Sequence, residues 1–380
     1  MKSIQYRVLV VDFGGQYAHL IARRVREIGF YSEVIPYDEF SEREVRDAGA
    51  VILSGGPHSV YEKDAPRLEK DLLKYLIRRE IPLLGICYGH QMLAYLLGGW
   101  VEPGEEGEYG VAELEVITEN ELFHGTPPRQ KVWTSHSDIV SKPPSGSTIL
   151  ARTRISRVAA FKIVGKKVYG LQFHPEVRHT TYGRVMLGNF LKRIAGLSLN
   201  WNPRDLVGII MQSIRERYRG GNILAAASGG VDSTTAAFLV MKAVGPDPIH
   251  LIVIDTGLLR KGEAKWAVET LRSLGFRHVH LVDAAKDFLE SLRGIKDAEE
   301  KRRVFSRVYF RVLNSAAVEL EKRYGEFKYL LQGTIYPDRV ESGRAGRSSD
   351  RIKSHHNVIT PGGLRLEVLE PLADFYKDEV

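Results

Sequence analysis

Ile81-Pro82-Leu83-Leu84-Gly85-Ile86-Cys87-Tyr88-Gly89-His90-Gln91 carries the single cysteine of this 380-residue chain at its centre. An apolar run that ends in Gly-x-nucleophile-x-Gly reads as a strand turning sharply into a helix, the nucleophile elbow of many hydrolases. The flanking glycines permit the tight turn and leave room for a substrate above the thiol. Free N–H groups and the macrodipole at the start of the following helix favour the thiolate, which is the reactive form. A lone cysteine is most often a small buried hydrophobe. The glycine bracket and the position at a strand end set this one apart.

A thiol nucleophile needs a base and a group that orients the base. Val168-Tyr169-Gly170-Leu171-Gln172 reads as a second apolar strand, and Phe173-His174-Pro175-Glu176 follows it. His174 can take the thiol proton, while Glu176 can hold the imidazole in one tautomer and stabilise its cation. A His-x-Glu pair alone is more often a solvated strand end. Of the 12 histidines, only His174 ends a strand with a carboxylate two residues on.

From about Arg7 to Leu197 the sequence resembles the class I (triad) glutamine amidotransferases. That resemblance implies a Cys87-His174-Glu176 triad that hydrolyses glutamine through a glutamyl thioester. Ser54-Gly55-Gly56-Pro57 is similar to the family's oxyanion loop, with the Gly56 and Tyr88 amides as the implied donors. Gln91 and Ser135-His136-Ser137-Asp138 resemble the segments that hold substrate glutamine, Asp138 being the implied partner of its α-ammonium.

The second half carries a different chemistry. Asn222-Ile223-Leu224-Ala225-Ala226-Ala227 reads as a strand, Ser228-Gly229-Gly230-Val231-Asp232-Ser233 as a glycine-rich turn, and Thr234 to Ala243 as a helix. Strand, glycine turn and helix make a cradle of N–H groups for phosphate. No Lys follows the glycines, so this is not the loop of the common ATPases. The hexapeptide resembles the pyrophosphate loop of N-type ATP pyrophosphatases, which split ATP between its α and β phosphates. The resemblance implies a grip through the loop amides and the Ser228 and Ser233 hydroxyls, with Asp232 helping to hold Mg²⁺.

Leu251-Ile252-Val253-Ile254-Asp255 is a further apolar strand ending in an acid, and Asp255 is expected to face a nucleotide crevice. Tyr329-Leu330-Leu331-Gln332-Gly333-Thr334 ends likewise, Gly333 allowing adenosine to approach. Ile335-Tyr336-Pro337-Asp338, with Glu341-Ser342 behind it, and Ile352-Lys353-Ser354-His355-His356-Asn357 look like lid motifs of the glutamine-hydrolysing GMP synthetases. Asp338, Glu341, Lys353, His355 and His356 are then implied in closing over an adenylated intermediate. Adjacent histidines suit tetrahedral zinc poorly. Thr256 and Ser306 depart from that family's pattern, which bears on local contacts rather than on the class of enzyme.

The resemblance implies amination of XMP to GMP with glutamine as nitrogen source and ATP as co-substrate. Another amidating pyrophosphatase, such as an NAD synthetase, is the rival enzyme; a nucleotide- or glutamine-binding module without turnover is the rival from another class. The expected fold is α/β in two domains, 1–198 (amidotransferase) and 199–380 (ATP pyrophosphatase), each a mainly parallel sheet flanked by helices, joined near Ser198–Pro203. In the first helix Leu20, Ile21, Val25 and Ile28 share one face. Leu372 to Val380 reads as the start of an amphipathic helix without a stop signal. The resembling family continues into a dimerisation domain that supplies part of the XMP site. The expectation is therefore a truncated sequence, or a partner chain that completes it, with a homodimer expected for the full-length family.

Composition agrees with a globular protein: 27% charged, 43% hydrophobic, formal charge +7. Basic residues are scattered among acids without a groove-reading motif, so anionic nucleotides are expected as ligands rather than nucleic acid. One cysteine suits a reducing cytoplasm, and no apolar run approaches the ~18 residues of a membrane span.

Overall fold

Buried apolar runs set the strands that carry the sites. The computed structural model describes residues 6–338 and 366–380, which fall into two units, Lys2–Asn202 and Pro203–Val380. In the first unit the chain runs β1 (Arg7–Asp12), α1 (Ala18–Glu27), β2 (Ser32–Pro36), β3 (Ala48–Leu53), α2 (Lys70–Arg78), β4 (Leu83–Ile86), α3 (Tyr88–Leu96), β5 (Trp100–Val116), β6 (Arg129–Lys142), β7 (Ser147–Arg152), β8 (Ala160–Ile163), β9 (Val168–Leu171) and α4 (Gly183–Asn189). Every residue of β4 and β9 is buried, as are the last four of β3. Such near-continuous apolar strands belong to parallel sheets covered on both faces.

The nine strands form one sheet in the order β2-β1-β3-β4-β9-β8-β7-β5-β6. Pairings from β2 across to β9 are parallel. Those from β9 onward to β6 are antiparallel. The parallel sheet expected from the sequence is thus only the half that carries Cys87 and His174. The antiparallel wing escaped notice because β6 alternates in burial with polar residues inside: Gln130, Thr134, His136 and Asp138 are buried beside Val132 and Val140. A period of two in burial leaves no period of two in hydrophobicity when four of the six inner residues are polar.

On α1, Ile21 and Val25 are buried as expected while Leu20 and Ile28 are only half-buried, and Ala22 and Arg26 join the buried face, Arg26 at 3% exposure. Its guanidinium donates to the Ser32 carbonyl at 2.7 Å and lies 4.6 Å from the Trp201 ring. Asn200 accepts from the Tyr31 N–H at 2.8 Å. These contacts bind the polar break near Ser198–Pro203 to the first unit as far as Asn202.

The second unit runs α5 (Pro203–Arg217), β10 (Asn222–Ala226), α6 (Val231–Val244), β11 (Ile249–Asp255), α7 (Glu263–Ser273), β12 (His278–Asp283), α8 (Ala285–Leu292), α9 (Ala298–Tyr324), β13 (Phe327–Leu331) and β14 (Glu367–Leu369). Its five strands are all parallel, in the order β12-β11-β10-β13-β14. The chain leaves β10 towards β11 and β12, then returns to β13 on the other side. That reversal opens a crevice at the carboxyl ends of β10 and β13. The helix expected from Leu372 is not formed. The Phe375 carbonyl accepts the Tyr336 N–H at 2.8 Å, and i→i+3 turns join Leu372 to Phe375 and Tyr376 to Glu379. Burial of Leu372, Phe375 and Tyr376 holds the segment in this turned form. Among the described residues no helix is long and apolar enough to cross a membrane.

The elbow between β4 and α3 is tightly built. Cys87 adopts φ 52° and ψ −104°, a region that costs a non-glycine residue roughly 1–3 kcal/mol. A Cβ on Gly85 would lie 2.4 Å from the Gly89 carbonyl oxygen, and one on Gly89 would lie 2.3 Å from that of Leu53. Backbone cannot yield there as a flexible side chain could. Gly89→Ala should therefore lower the stability of the first unit by about 3 kcal/mol. Gly208→Ala, in α5 where a Cβ meets nothing within 4 Å, should raise that of the second by roughly 0.5–1 kcal/mol. Denaturant unfolding of the two variants against the parent checks both signs.

Candidate active sites

Parallel pairing brings three strand ends together. Register pairs Leu53 with Gly85 and Ile86 with Leu171, so the segments that follow β3, β4 and β9 emerge side by side. The first contributes Ser54–Gly56, the second Cys87, the third His174. Cys87 is 6% exposed and its N–H donates to the Leu171 carbonyl at 2.7 Å. A Cβ on Gly55 would lie 3.2 Å from His174 Cε1 and 3.7 Å from Cys87 Cβ, so the glycine sits against both groups.

His174 and Glu176 are buried, with Nδ1 2.7 Å from Oε1. A carboxylate oxygen accepts, so Nδ1 carries the proton and the other ring nitrogen is left for the thiol of Cys87, whose charge bears on the ring. Burial by itself pulls the imidazole pKa down; the charges of Glu176 and Cys87 outweigh it and hold the pKa well above 6.5. The ring is fixed from other directions too. Tyr17 meets it edge-on at 5.1 Å, Thr180 donates to the His174 carbonyl at 2.6 Å, and Arg24 donates to the Glu176 carbonyl at 3.0 Å.

A cleft of about 400 Å³ opens over the sulfur, bordered by Gly55, Gly56, Gln91, Tyr109, His136 and Asp138. Ser54 fixes the loop by accepting the Phe13 N–H at 3.1 Å and donating to the Gly55 carbonyl at 2.9 Å. The Tyr88 ring is engaged elsewhere, its hydroxyl donating to the Pro66 carbonyl at 2.6 Å, so only its N–H at the start of α3 can serve an oxyanion. The Gln91 amide donates to the Asp138 carbonyl at 2.9 Å. Gln91 thus braces the wall of the cleft. Asp138 is 6% exposed, and its Oδ1 accepts the Tyr61 hydroxyl at 3.1 Å. The sequence reading missed Tyr61, and it missed Gln172, whose amide nitrogen lies 4.0 Å from the Cys87 sulfur. Neither stands in a motif; Tyr61 reaches Asp138 from 77 positions away.

In the second unit Ser228–Ser233 joins β10 to α6 at the topological reversal, with Gly230 at the N-cap. The Ser228 and Ser233 hydroxyls lie 3.4 Å apart, Gly230 N–H donates to Ser228 Oγ at 3.3 Å, and Ser233 Oγ donates to the Gly230 carbonyl at 3.2 Å. Val231 is 60% exposed at the rim. A Cβ on Gly333 would lie 2.9 Å from Ser233 N and Cα, so the first demand on that glycine is the packing of the β13 end against α6. Asp255 Oδ1 accepts the Gly257 N–H at 3.0 Å and shapes the turn after β11. Asp338 does the same for Ile335 at 3.2 Å. Glu341, Lys353, His355 and His356 lie outside the described residues.

Asp232 Oδ1 is buried without a hydrogen-bond partner, and Oδ2 lies 3.4 Å from Lys377 Nζ. An open carboxylate oxygen at a phosphate cradle fits a hard cation. Among the described residues no group of three or more His, Cys, Asp or Glu is placed to enclose a metal. Lys377 was not singled out in the sequence because it sits in a segment read as a helix start, with no local signal for phosphate.

The family model described as glutamine amidotransferase class-I matches residues 9–194. The GMP synthase [glutamine-hydrolyzing] of Pyrobaculum aerophilum is 48% identical over 379 residues, covering 98% of this chain and 72% of its own. That of Aeropyrum pernix is 48% identical over 377 residues, covering 98% and 71%. A solved glutamine amidotransferase from Thermotoga maritima, 25% identical, aligns with a TM-score of 0.43 over 51% of this chain and 99% of that one. At this identity over this much of each sequence, the chain belongs to the glutamine-hydrolysing GMP synthase family.

Proposed function

We propose that the first unit hydrolyses glutamine and the second uses the nitrogen to convert XMP to GMP at the expense of ATP. The observation that carries the first half is the buried His174–Glu176 contact of 2.7 Å beside a thiol held at a strained strand end. His174 takes the thiol proton as the Cys87 sulfur attacks the carboxamide carbon, and the negative charge that develops on oxygen meets the Gly56 and Tyr88 N–H groups. His174 gives its proton to the departing nitrogen, which leaves as ammonia, and a thioester remains. Water then adds to the thioester with His174 taking its proton, and glutamate leaves as the thiol is restored. Asp138 holds the substrate ammonium.

In the second unit the XMP C2 oxygen attacks the α-phosphorus of ATP and pyrophosphate leaves into the Ser228–Ser233 amides. Ammonia then adds at C2 and AMP departs with the oxygen. Asp232 would hold Mg²⁺ where present, which supplies charge neutralisation to the phosphates. Lys377 adds a second positive charge at the same place. Asp255 and Gly333 shape the crevice wall, and the lid residues Asp338, Glu341, Lys353, His355 and His356 are proposed to close it. Family membership supports ATP as the nucleotide. The single cysteine, which leaves no intrachain disulfide to form, supports a cytoplasmic setting.

Cys87→Ala should abolish glutamine hydrolysis while GMP formation from added ammonium salts continues; loss of both together would sink the division of labour. For Asp232→Asn, pyrophosphate release should fall by about a hundredfold with either nitrogen source, read in an XMP-dependent assay. The raised pKa of His174 sets a pH sign. The imidazolium–Glu176 pairing contributes fully below about 6.5 and is lost as pH rises through the higher folded value. Alkylation of Cys87 by iodoacetamide should therefore change little on mild acidification, because His174 stays cationic beside it. In Glu176→Gln that support is gone, and the rate should fall about tenfold per pH unit lowered.

A further inference from the structure

Glu108 has no part in the chemistry above, yet its side chain is buried (7% exposed) behind the glutamine cleft. Strand register sets it directly opposite His136 in the β5–β6 ladder. His136 Nδ1 lies 3.0 Å from the Asp138 carbonyl oxygen, and Nε2 lies 3.2 Å from Glu108 Oε2. Thr153 donates its hydroxyl to the same carboxylate oxygen at 3.1 Å and is itself fixed by accepting the Ser156 N–H at 2.9 Å.

Proton placement follows from these partners. A carbonyl oxygen only accepts, so Nδ1 carries a proton. One more proton then lies between Nε2 and Oε2, on the ring or on the carboxyl, and either placement leaves the pair without net charge. Removing Glu108 would leave a buried ring nitrogen with no partner, which costs more than the hydrogen bond alone is worth. What His136 secures is the wall of the site. Its target carbonyl also accepts Gln91, the Asp138 carboxylate faces Tyr61, and the Ser135 carbonyl stands 3.7 Å from the Cys87 sulfur.

We propose that Glu108 is a positioning residue for substrate glutamine: through His136 it holds the Ser135–Asp138 segment at the separation from Cys87 that the ammonium and the carboxamide of one substrate require. The proposal rests on the reading of this cleft as the glutamine site. Glu108 touches no substrate atom, so its loss weakens capture and leaves the reacting groups in place.

The test compares Glu108→Ala and Glu108→Gln with the parent in the whole chain, by glutamine hydrolysis and by alkylation of Cys87. Two alkylating probes are used, iodoacetamide and a glutamine-shaped diazoketone. Glu108→Ala should raise KM for glutamine about tenfold and leave kcat within about twofold. It should slow the diazoketone by a similar factor and leave iodoacetamide unaffected. In Glu108→Gln the amide can donate to a neutral Nε2, so KM should stay within about threefold of the parent at mildly alkaline pH. A KM unchanged in Glu108→Ala, or kcat, KM and melting temperature deteriorating together in both variants, would overturn the proposal. A parent chain that neither hydrolyses glutamine nor prefers the glutamine-shaped probe would overturn the glutamine reading itself, and this inference with it.

Discussion

Two backbone hydrogen bonds pin the turn at Cys87 to the strands on either side: its own N–H to the Leu171 carbonyl, and the Gly89 N–H to the Ser54 carbonyl. The turn holds a non-glycine residue at positive φ, and strain of that kind persists only where neighbours over-determine the backbone. Here the neighbours are the same strands that deliver the other reacting groups. The strand on one side leads into the oxyanion loop, and the strand on the other leads into His174. A shift of register on either side would therefore disturb the nucleophile and its partner at once. Stability of the sheet and competence of the site are the same property in this unit.

The two units solve different chemical problems with one geometric resource. In both, a buried strand of a parallel array ends at a helix whose first N–H groups have no internal acceptor. At β4 that place is occupied by the side chain proposed as nucleophile. At β10 it is occupied by a turn of small residues, whose backbone amides and two hydroxyls are proposed to receive the departing pyrophosphate. The orphaned oxygen of Asp232 and the nearby ammonium of Lys377 place charge of both signs at the proposed phosphate site.

What the sequence made legible was local. The elbow, the His-x-Glu pair and the Ser228–Ser233 turn each lie within seven residues, and their spacing reports the turn that the backbone must make. What remained hidden was set by tertiary pairing. The antiparallel wing has a polar inner face, so β6 shows no hydrophobic alternation, and Glu108 meets His136 only because β5 and β6 are in register. Arg26 is buried against Trp201 from a distant part of the chain, where its charge argues for exposure. The helix expected at Leu372 gave way to turns because one of its carbonyls is claimed by Tyr336. Gly333 was read as giving room to adenosine, whereas the atoms that a Cβ there would meet are those of Ser233 in α6.

The sulfur at the elbow is also the only one of its kind in the chain. A thiol set beside an imidazole is a place where peroxides attack, because it is the deprotonated sulfur that they oxidise. Among these 380 residues an oxidised Cys87 finds no second thiol to resolve it as a disulfide. Through this one atom the proposed glutamine chemistry is exposed to the redox poise of its surroundings.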